Sequence, residues 1–190
     1  MRKIILSIHT TLDGFAAGVN GEMDWIKIDD EMFDFVKSFT DNADTALYGR
    51  VTWQMMDSYW PTAGDKPDAT KHDKEHSEWY NRVDKVVLSN TMKDRHAAKT
   101  TFVSGDVSKK IQELKQQNGK DILIFGSPSA VHSLMADNLI DEYWLFVNPV
   151  ILGNGISFFT ELARSIELTR QTTKFFSCGV TALNYSVIRK

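Results

Sequence analysis

The chain has a single cysteine, Cys178, among its 190 residues, and only four prolines. A lone cysteine excludes an internal disulfide and lacks the partner ligands that a zinc site needs. No apolar run approaches the roughly 20 residues needed to span a bilayer, and the run after Met1-Arg2-Lys3 is too short for a signal peptide. We therefore expect a soluble, cytoplasmic protein with no metal site and no membrane contact.

Concentrated charge of one sign is also missing. The net charge is −3, and the 22 Lys and Arg residues are scattered along the chain, so we expect no nucleic-acid partner. What the chain does have is an ordinary apolar share of 42%, with five Trp and eleven Phe to fill a core. This length and composition are typical of one globular domain, which we place at residues 1–190.

Short apolar runs alternate with amphipathic segments along the chain. Met32, Phe35, Val36 and Phe39, for example, share one helix face. Further helices are predicted after Gly49, over 74–82, around 107–114 and around 131–135, and strands over 3–9, 45–48, 85–88, 101–103, 122–125, 142–152, 166–176 and 180–189. Residues 10–21 are predicted to be a loop and residues 60–75 a surface excursion. The order predicts a three-layer α/β fold, with a mostly parallel sheet and an antiparallel C-terminal edge formed by apolar strands.

Small and polar turns follow several of these strands. In the turn after residues 122–125, Ser127 is predicted to cap a helix that begins at Pro128, and Gly126 leaves room for a phosphate. In isolation such a turn is also simply a tight strand-to-helix connection. The other turns comprise residues 49–52, 89–91 and 104–105. Because ligands bind beyond the carboxyl ends of parallel strands, we expect the four turns to line one groove for a dinucleotide, although no G-x-G-x-x-G fingerprint is present.

In order and spacing, several motifs resemble the dihydrofolate-reductase-like family, and within it the reductase domain of riboflavin biosynthesis and its stand-alone bacterial relatives. The resemblance spans nearly the whole chain. The motifs are residues 11–17 (TLDGFAA), 24–26 (DWI), 49–52 (GRVT), 125–127 (FGS), 141–142 (DE), 148–155 (NPVILGNG) and 177–180 (SCGV).

The resemblance implies NADPH as hydride donor to a small heterocyclic or carbonyl substrate. On that mapping, Gly49, Arg50 and Thr52 hold the adenosine-side phosphates, with Ser89 and Thr91 near the 2′-phosphate. Gly126, Ser127 and Ser129 hold the pyrophosphate, and Ala16 and Ala17 lie near the nicotinamide. The resemblance also implies a homodimer.

The sequence allows two interpretations of the proton source. Asp30 follows Trp25 by the five places at which folate reductases carry an acid, and half-burial under Phe33 would raise its pKa. The alternative is that Asp30 belongs only to the acidic first turn of a helix. The other candidates have a structural interpretation that we favour: a core role for His9 and Cys178, a turn for Asp13, and surface positions for His72, Glu75, His76 and His132.

Two other functions remain open. The substrate could be a ribosylaminopyrimidine of the riboflavin pathway, although the chain lacks the zinc-ligand signature of a deaminase half. Alternatively, the chain could be an NADP(H)-binding sensor without turnover, because no unambiguous proton donor is present.

Overall fold

A computed structural model describes residues 1–92, 94–159 and 162–189 of the chain. The strands are β1 (Ile4–Thr11), β2 (Phe15–Ala17), β3 (Ala43–Gly49), β4 (Asp84–Leu88), β5 (Thr100–Val103), β6 (Asp121–Phe125), β7 (Glu142–Asn148), β8 (Ile156–Ser157), β9 (Leu168–Phe175) and β10 (Thr181–Val187). The helices are α1 (Asp30–Asn42), α2 (Arg50–Ala63), α3 (Lys71–Arg82), α4 (Val107–Gln116) and α5 (Pro128–Ala136).

Eight strands form one sheet in the order β5-β4-β3-β6-β1-β7-β10-β9. The pairs from β5 to β7 are parallel, whereas β10 pairs antiparallel with both β7 and β9. This arrangement confirms the predicted mostly parallel sheet with an antiparallel C-terminal edge. β2 and β8 form a separate two-stranded sheet.

Both faces of the central strands are covered by helices. In β1, Ile4, Leu6 and Ile8 belong to a core cluster that includes residues of α4 and α5, whereas Ile5 packs on the opposite side. On that side lie α1, α2 and α3, which contribute large residues such as Trp53 and Trp79. Burial on both faces explains why these strands are continuous apolar runs rather than alternating ones.

The predicted surface excursion over residues 60–75 is wrong at both of its ends. The helix α2 continues through Pro61 to Ala63, and α3 already begins at Lys71, where Thr70 and Asp73 form a capping box. Pro61 lies in the last turn of α2 and removes one helical hydrogen bond there, because it has no backbone N–H. Trp60, one residue earlier, is partly buried against the core. Only residues 64–70 connect the two helices.

Three further predictions are corrected by the structure. Residues 10–21 are not wholly a loop, because β1 extends to Thr11 and β2 follows at Phe15–Ala17. The strand β7 ends at Asn148, short of residue 152. The edge strand β9 is polar and largely exposed rather than apolar.

Candidate active site

A groove of about 510 Å³ runs along the carboxyl ends of β3, β4 and β6. The parallel pairing of β3 with both neighbours places the turns that follow these strands side by side. The groove contains most of the predicted cofactor residues: Gly49, Arg50, Thr52, Ser89, Thr91, Ser127 and Ser129. The convergence of these turns is therefore a property of the fold, whereas their role in binding a cofactor stays a prediction.

The turn at residues 104–105 is the exception among the four. Neither Ser104 nor Gly105 is among the described residues that line the groove, although Val107 at the start of α4 is. Gly105 instead donates its N–H to Asn90 Oδ1 at 3.4 Å, next to the β4 turn. The turn at residues 104–105 therefore lies outside the groove lining and hydrogen-bonds a residue that belongs to it.

Two of the helices that begin in the groove, α2 and α5, lack side-chain caps. Gly49 precedes α2 and Ser127 precedes α5, and neither makes a side-chain hydrogen bond to its helix. The helices α1, α3 and α4, in contrast, are capped by Asp29, Thr70 and Asp106. Uncapped first-turn N–H groups, together with the positive end of the helix dipole, form an anion-binding site.

Ser127 connects the two uncapped turns. Ser127 is the N-cap residue of α5 and Pro128 its first residue, as the sequence predicts, but the Ser127 side chain makes no hydrogen bond to that helix. Its Oγ instead accepts a hydrogen bond from Gly49 N–H at 3.1 Å. Its backbone is left-handed, with φ of 57°, and the residue is buried. The strained conformation points the hydroxyl across to the β3 turn, so one side chain aligns both helix starts.

Gly126 and Arg50 supply the room and the charge that phosphates require. Gly126 has φ of 60°, and a Cβ built there would meet no atom within 4 Å, so a ligand can approach its backbone closely. Arg50 is exposed and hydrogen-bonds only Gln54 Oε1, at 3.1 Å, among the described residues. Its guanidinium is therefore available to an anionic ligand.

An apolar cavity of about 380 Å³ adjoins the groove. Val51, Thr52, Ser127, Pro128 and Ile156 line both spaces. The cavity also contains the remaining predicted cofactor residues, Ala16, Ala17 and Gly126. A long ligand could therefore extend from the groove to the mouth of the cavity.

The cavity wall is rich in methionine and aromatic side chains that the sequence prediction did not place together. They are Met23, Met32, Met55, Met56, Phe33, Trp60 and Phe125. The described lining residues include no Lys, Arg, Asp or Glu. The spacing of Trp53, Met56 and Trp60 on one helix face was available in the sequence, but the predicted excursion obscured it.

His72 and His76 belong to this wall, so their predicted surface position is wrong. His72 stacks on Phe33 with ring centroids 3.7 Å apart, and His76 packs against Trp60 at 4.1 Å. Burial lowers the pKa of His76 to about 3 and also lowers the pKa of His72. His76 Nε2 is buried and has no hydrogen-bond partner among the described residues.

The structure places Asp30 outside the cavity. It is the first residue of α1 and is exposed, so the expected half-burial under Phe33 is wrong. Asp30 is also absent from the described residues that line the cavity. The neighbouring Asp29 is the N-cap, accepting from Met32 N–H at 2.8 Å. The geometry agrees with an acidic first turn, and the role of Asp30 as proton donor stays a prediction.

Other single residues have structural partners. Asp13 accepts from Thr11 Oγ1 and from the N–H groups of Leu152 and Gly153, and the Thr11 bond is the main cause of its lowered pKa. His132 does not face outward, because its Nε2 lies 2.8 Å from Phe158 O. Cys178 is partly buried, and its N–H donates to Asp29.

The described residues provide neither a metal site nor a membrane-spanning helix. No group of three or more His, Cys, Asp or Glu side chains there is arranged to hold a metal ion. Within the same part of the chain, no helix has the length and apolar character that crossing a membrane requires.

The fold and the groove define a class of protein: an α/β protein of dihydrofolate-reductase-like fold whose strand ends border a groove with two uncapped helix starts. Residues 2–182 match the family model of the RibD C-terminal domain, so the chain belongs to that family.

Similar proteins extend over nearly the whole chain. The uncharacterized protein YyaP of Bacillus subtilis (strain 168) is 34% identical over 97% of this chain and 94% of its own length. The structure of a proposed riboflavin biosynthesis protein from Shewanella sp. PV-4 superposes with a TM-score of 0.74 at 25% identity, covering 100% of both chains.

A larger protein shares the fold. The deaminase/reductase of Thermotoga maritima, whose name gives diaminohydroxyphosphoribosylaminopyrimidine and 5-amino-6-(5-phosphoribosylamino)uracil as the compounds it acts on, superposes with a TM-score of 0.68. The match covers 98% of this chain but 57% of that one, at 14% identity.

Proposed function

We propose that this chain is an NADPH-dependent reductase that transfers a hydride to a small heterocyclic or carbonyl substrate, pterin-like or pyrimidine-like. The observation that carries the proposal is the pair of uncapped helix starts in a groove that opens into an apolar cavity. Membership in the RibD C-terminal family, and the reductase named among the similar structures, support the same reaction class.

The residues of the groove fit the charges of NADPH. Gly49, Arg50 and Thr52 would hold the adenosine-side phosphates, and Ser89 and Thr91 would lie near the 2′-phosphate. The hydroxyls of Ser89 and Thr91 are 3.3 Å apart, close enough to act on one phosphate together.

The remaining cofactor contacts would be made partly in the groove and partly in the cavity. Gly126, Ser127 and Ser129 would hold the pyrophosphate at the start of α5, and Ala16 and Ala17 would flank the nicotinamide in the cavity. When bound, the cofactor supplies the hydride. The protein positions the two reactants and excludes water from the apolar cavity.

One alternative is a sensor that binds NADP(H) without turnover. It is favoured by the lack of any carboxyl group among the described residues that line the cavity. The other alternative, reduction of a phosphorylated ribosylaminopyrimidine, is favoured by the reductase activity in the name of the Thermotoga maritima protein.

The cofactor assignment is tested by titrating NADPH and NADH into the wild type and into Arg50→Ala. We expect the wild type to bind NADPH more tightly than NADH, which lacks the 2′-phosphate near Ser89 and Thr91. We expect Arg50→Ala to weaken NADPH binding about tenfold or more, because a charge-assisted contact to the adenosine-side phosphates is lost. Arg82→Ala, which removes an exposed charge from the last turn of α3, is the matched control. Equal affinity of the wild type for the two cofactors would contradict the assignment.

Turnover separates the enzyme from the sensor. NADPH oxidation is followed by absorbance with a panel of pterins, pyrimidines and quinones, including a ribosylaminopyrimidine phosphate. We expect oxidation with at least one unphosphorylated ring. Tight NADPH binding without oxidation across the panel would favour the sensor.

A further inference from the structure

His9 is a polar side chain in the wall of the apolar cavity, and a buried amide contacts one of its ring nitrogens. It lies on β1, lines the cavity and stacks on Phe146 with ring centroids 5.1 Å apart. Its Nδ1 lies 3.2 Å from Nδ2 of Asn148, a fully buried residue at the end of β7. The orientation of the Asn148 amide therefore determines which nitrogen of His9 carries the proton.

The amide orientation follows from its other partners. Asn148 Oδ1 accepts from Lys27 N–H at 2.9 Å, so the oxygen must face that donor. Nδ2 faces two carbonyl oxygens, Phe146 O at 3.0 Å and Thr10 O at 3.4 Å, which only an NH2 group can satisfy. The reverse orientation would oppose donor to donor and acceptor to acceptor. The two Nδ2 hydrogens are therefore shared among the two carbonyl oxygens and His9 Nδ1, which faces a donor and accepts rather than carrying a proton itself.

An imidazole that accepts at Nδ1 carries its proton on Nε2 when it is neutral. Burial lowers the pKa of His9 to about 4, so the ring is neutral at physiological pH. His9 Nε2 makes no hydrogen bond to any of the described residues. It is also not fully buried, in contrast to His76 Nε2. His9 thus offers one accessible N–H donor in a wall that is otherwise mainly apolar.

The rest of the wall restricts the ligand further. Flat aromatic surfaces and methionines suit a planar ring. A phosphate would be desolvated there without a cation, because the described lining residues include no Lys or Arg. The phosphate-binding features of the site all lie in the groove, where Arg50 and the two uncapped helix starts are found.

We propose that the cavity binds an uncharged planar ring and that His9 Nε2–H donates a hydrogen bond to a carbonyl oxygen or ring nitrogen of that ring. Asn148 is the positioning residue that holds His9 in the donor tautomer. This inference rests on the proposed function and narrows its substrate to an unphosphorylated ring that carries an acceptor.

Three small probes test the proposal without any cofactor. Quinoline and naphthalene have the same shape, but only quinoline carries a ring-nitrogen acceptor; naphthyl phosphate adds a charge. Dissociation constants are measured by ligand-observed NMR titration near pH 7.5. We expect quinoline to bind the wild type about tenfold more tightly than naphthalene, as one added hydrogen bond allows. Naphthyl phosphate should bind at least about tenfold more weakly than quinoline.

His9→Phe should abolish the preference for quinoline while naphthalene still binds, which also shows that the variant is folded. Equal binding of quinoline and naphthalene to the wild type would overturn the proposal, as would a preference that survives in His9→Phe or tight binding of naphthyl phosphate. A measurement that needs no variant is the ¹⁵N spectrum of labelled histidine. We expect His9 to be protonated at Nε2, and protonation at Nδ1 alone would overturn the proposal.

The two proposals fail in different ways. If quinoline is preferred but NADPH does not bind, the reductase function is wrong and the donor role of His9 stands. If NADPH binds but the probes are not discriminated, the cofactor groove stands and the role of His9 is wrong.

Discussion

Ser127 illustrates how one residue links folding to the site. Its left-handed backbone costs roughly 1 kcal/mol for a residue with a side chain, and it persists here because the hydroxyl binds the β3 turn. Its side chain makes no hydrogen bond to its own helix, and this leaves the start of α5 open.

We predict that Ser127→Ala weakens NADPH binding by about threefold to tenfold, because the two helix starts lose their common hydrogen bond. The affinity is measured by calorimetric titration. Ser133→Ala is the matched control, since Ser133 also borders the groove but its hydroxyl bonds Ser129 O, within its own helix. Equal losses in both variants would contradict an aligning role for Ser127.

At the residue scale, the sequence predicts which residues lie in the groove better than it predicts which residues they hydrogen-bond. The groove residues were predicted because a parallel sheet brings its strand ends together whatever their side chains do. The partner of Ser127 was not, because Gly49 is 78 residues away and the bond depends on a backbone angle that serine rarely adopts. His76 was assigned to the surface because the charged residues around it hide one apolar helix face.

At the scale of elements, a buried ion pair joins the end of α4 to the starts of β1 and β7. Lys115 Nζ lies 2.5 Å from Asp141 Oδ2 and also donates to Leu139 O. Asp141 accepts from Ile4 N–H and from Arg189 as well. Burial lowers the pKa of Lys115, and the bond to Asp141 opposes that shift.

We predict that Asp141→Asn lowers the free energy of unfolding by about 3 kcal/mol, because it leaves the Lys115 charge buried without its partner. Lys115→Met combined with Asp141→Asn should restore part of the loss. Urea denaturation measures the free energy of unfolding of the wild type, the single variant and the double variant. Asp41→Asn is the control: it breaks the exposed Lys37–Asp41 pair on α1, which should change nothing measurable. A double variant less stable than Asp141→Asn would refute the argument.

The elements themselves could largely be predicted from apolar runs and helix periodicity. The connection between α2 and α3 could not, because Pro61 and Gly64 are ordinarily read as signs of a loop. The packing of Trp60 against the core outweighs the hydrogen bond that Pro61 cannot make. The end of α2 and the start of α3 line the cavity, so placing both in a surface excursion hid Trp60 and His72 from the predicted site.

At the scale of the whole molecule, β9 forms an edge of the main sheet. We propose that the chain is a homodimer that pairs through this edge, where Phe175 is 75% exposed. Light scattering coupled to size exclusion should give twice the 21.6 kDa chain mass. Phe175→Lys should shift the equilibrium toward monomer, whereas Val19→Lys, at another exposed apolar position, should not. A wild-type monomer would refute the prediction.

The buried histidines make the stability of the whole molecule depend on pH. Burial lowers the pKa of His9 to about 4 and of His76 to about 3, whereas an unfolded histidine titrates near 6.5. Between these values the unfolded chain binds more protons than the folded one, so the free energy of unfolding rises with pH. This stability is fully present above about pH 6.5 and is lost as the pH falls toward 4.

We therefore predict that the free energy of unfolding falls by roughly 1–2 kcal/mol per buried histidine between pH 7.5 and pH 5. Urea denaturation at the two pH values measures this loss. In His76→Phe the loss should be smaller by the contribution of one histidine, because the phenyl ring that replaces His76 cannot be protonated. At pH 7.5 the same variant should be as stable as the wild type, since His76 Nε2 has no hydrogen-bond partner among the described residues. An unchanged loss in His76→Phe would show that other groups cause the acid sensitivity.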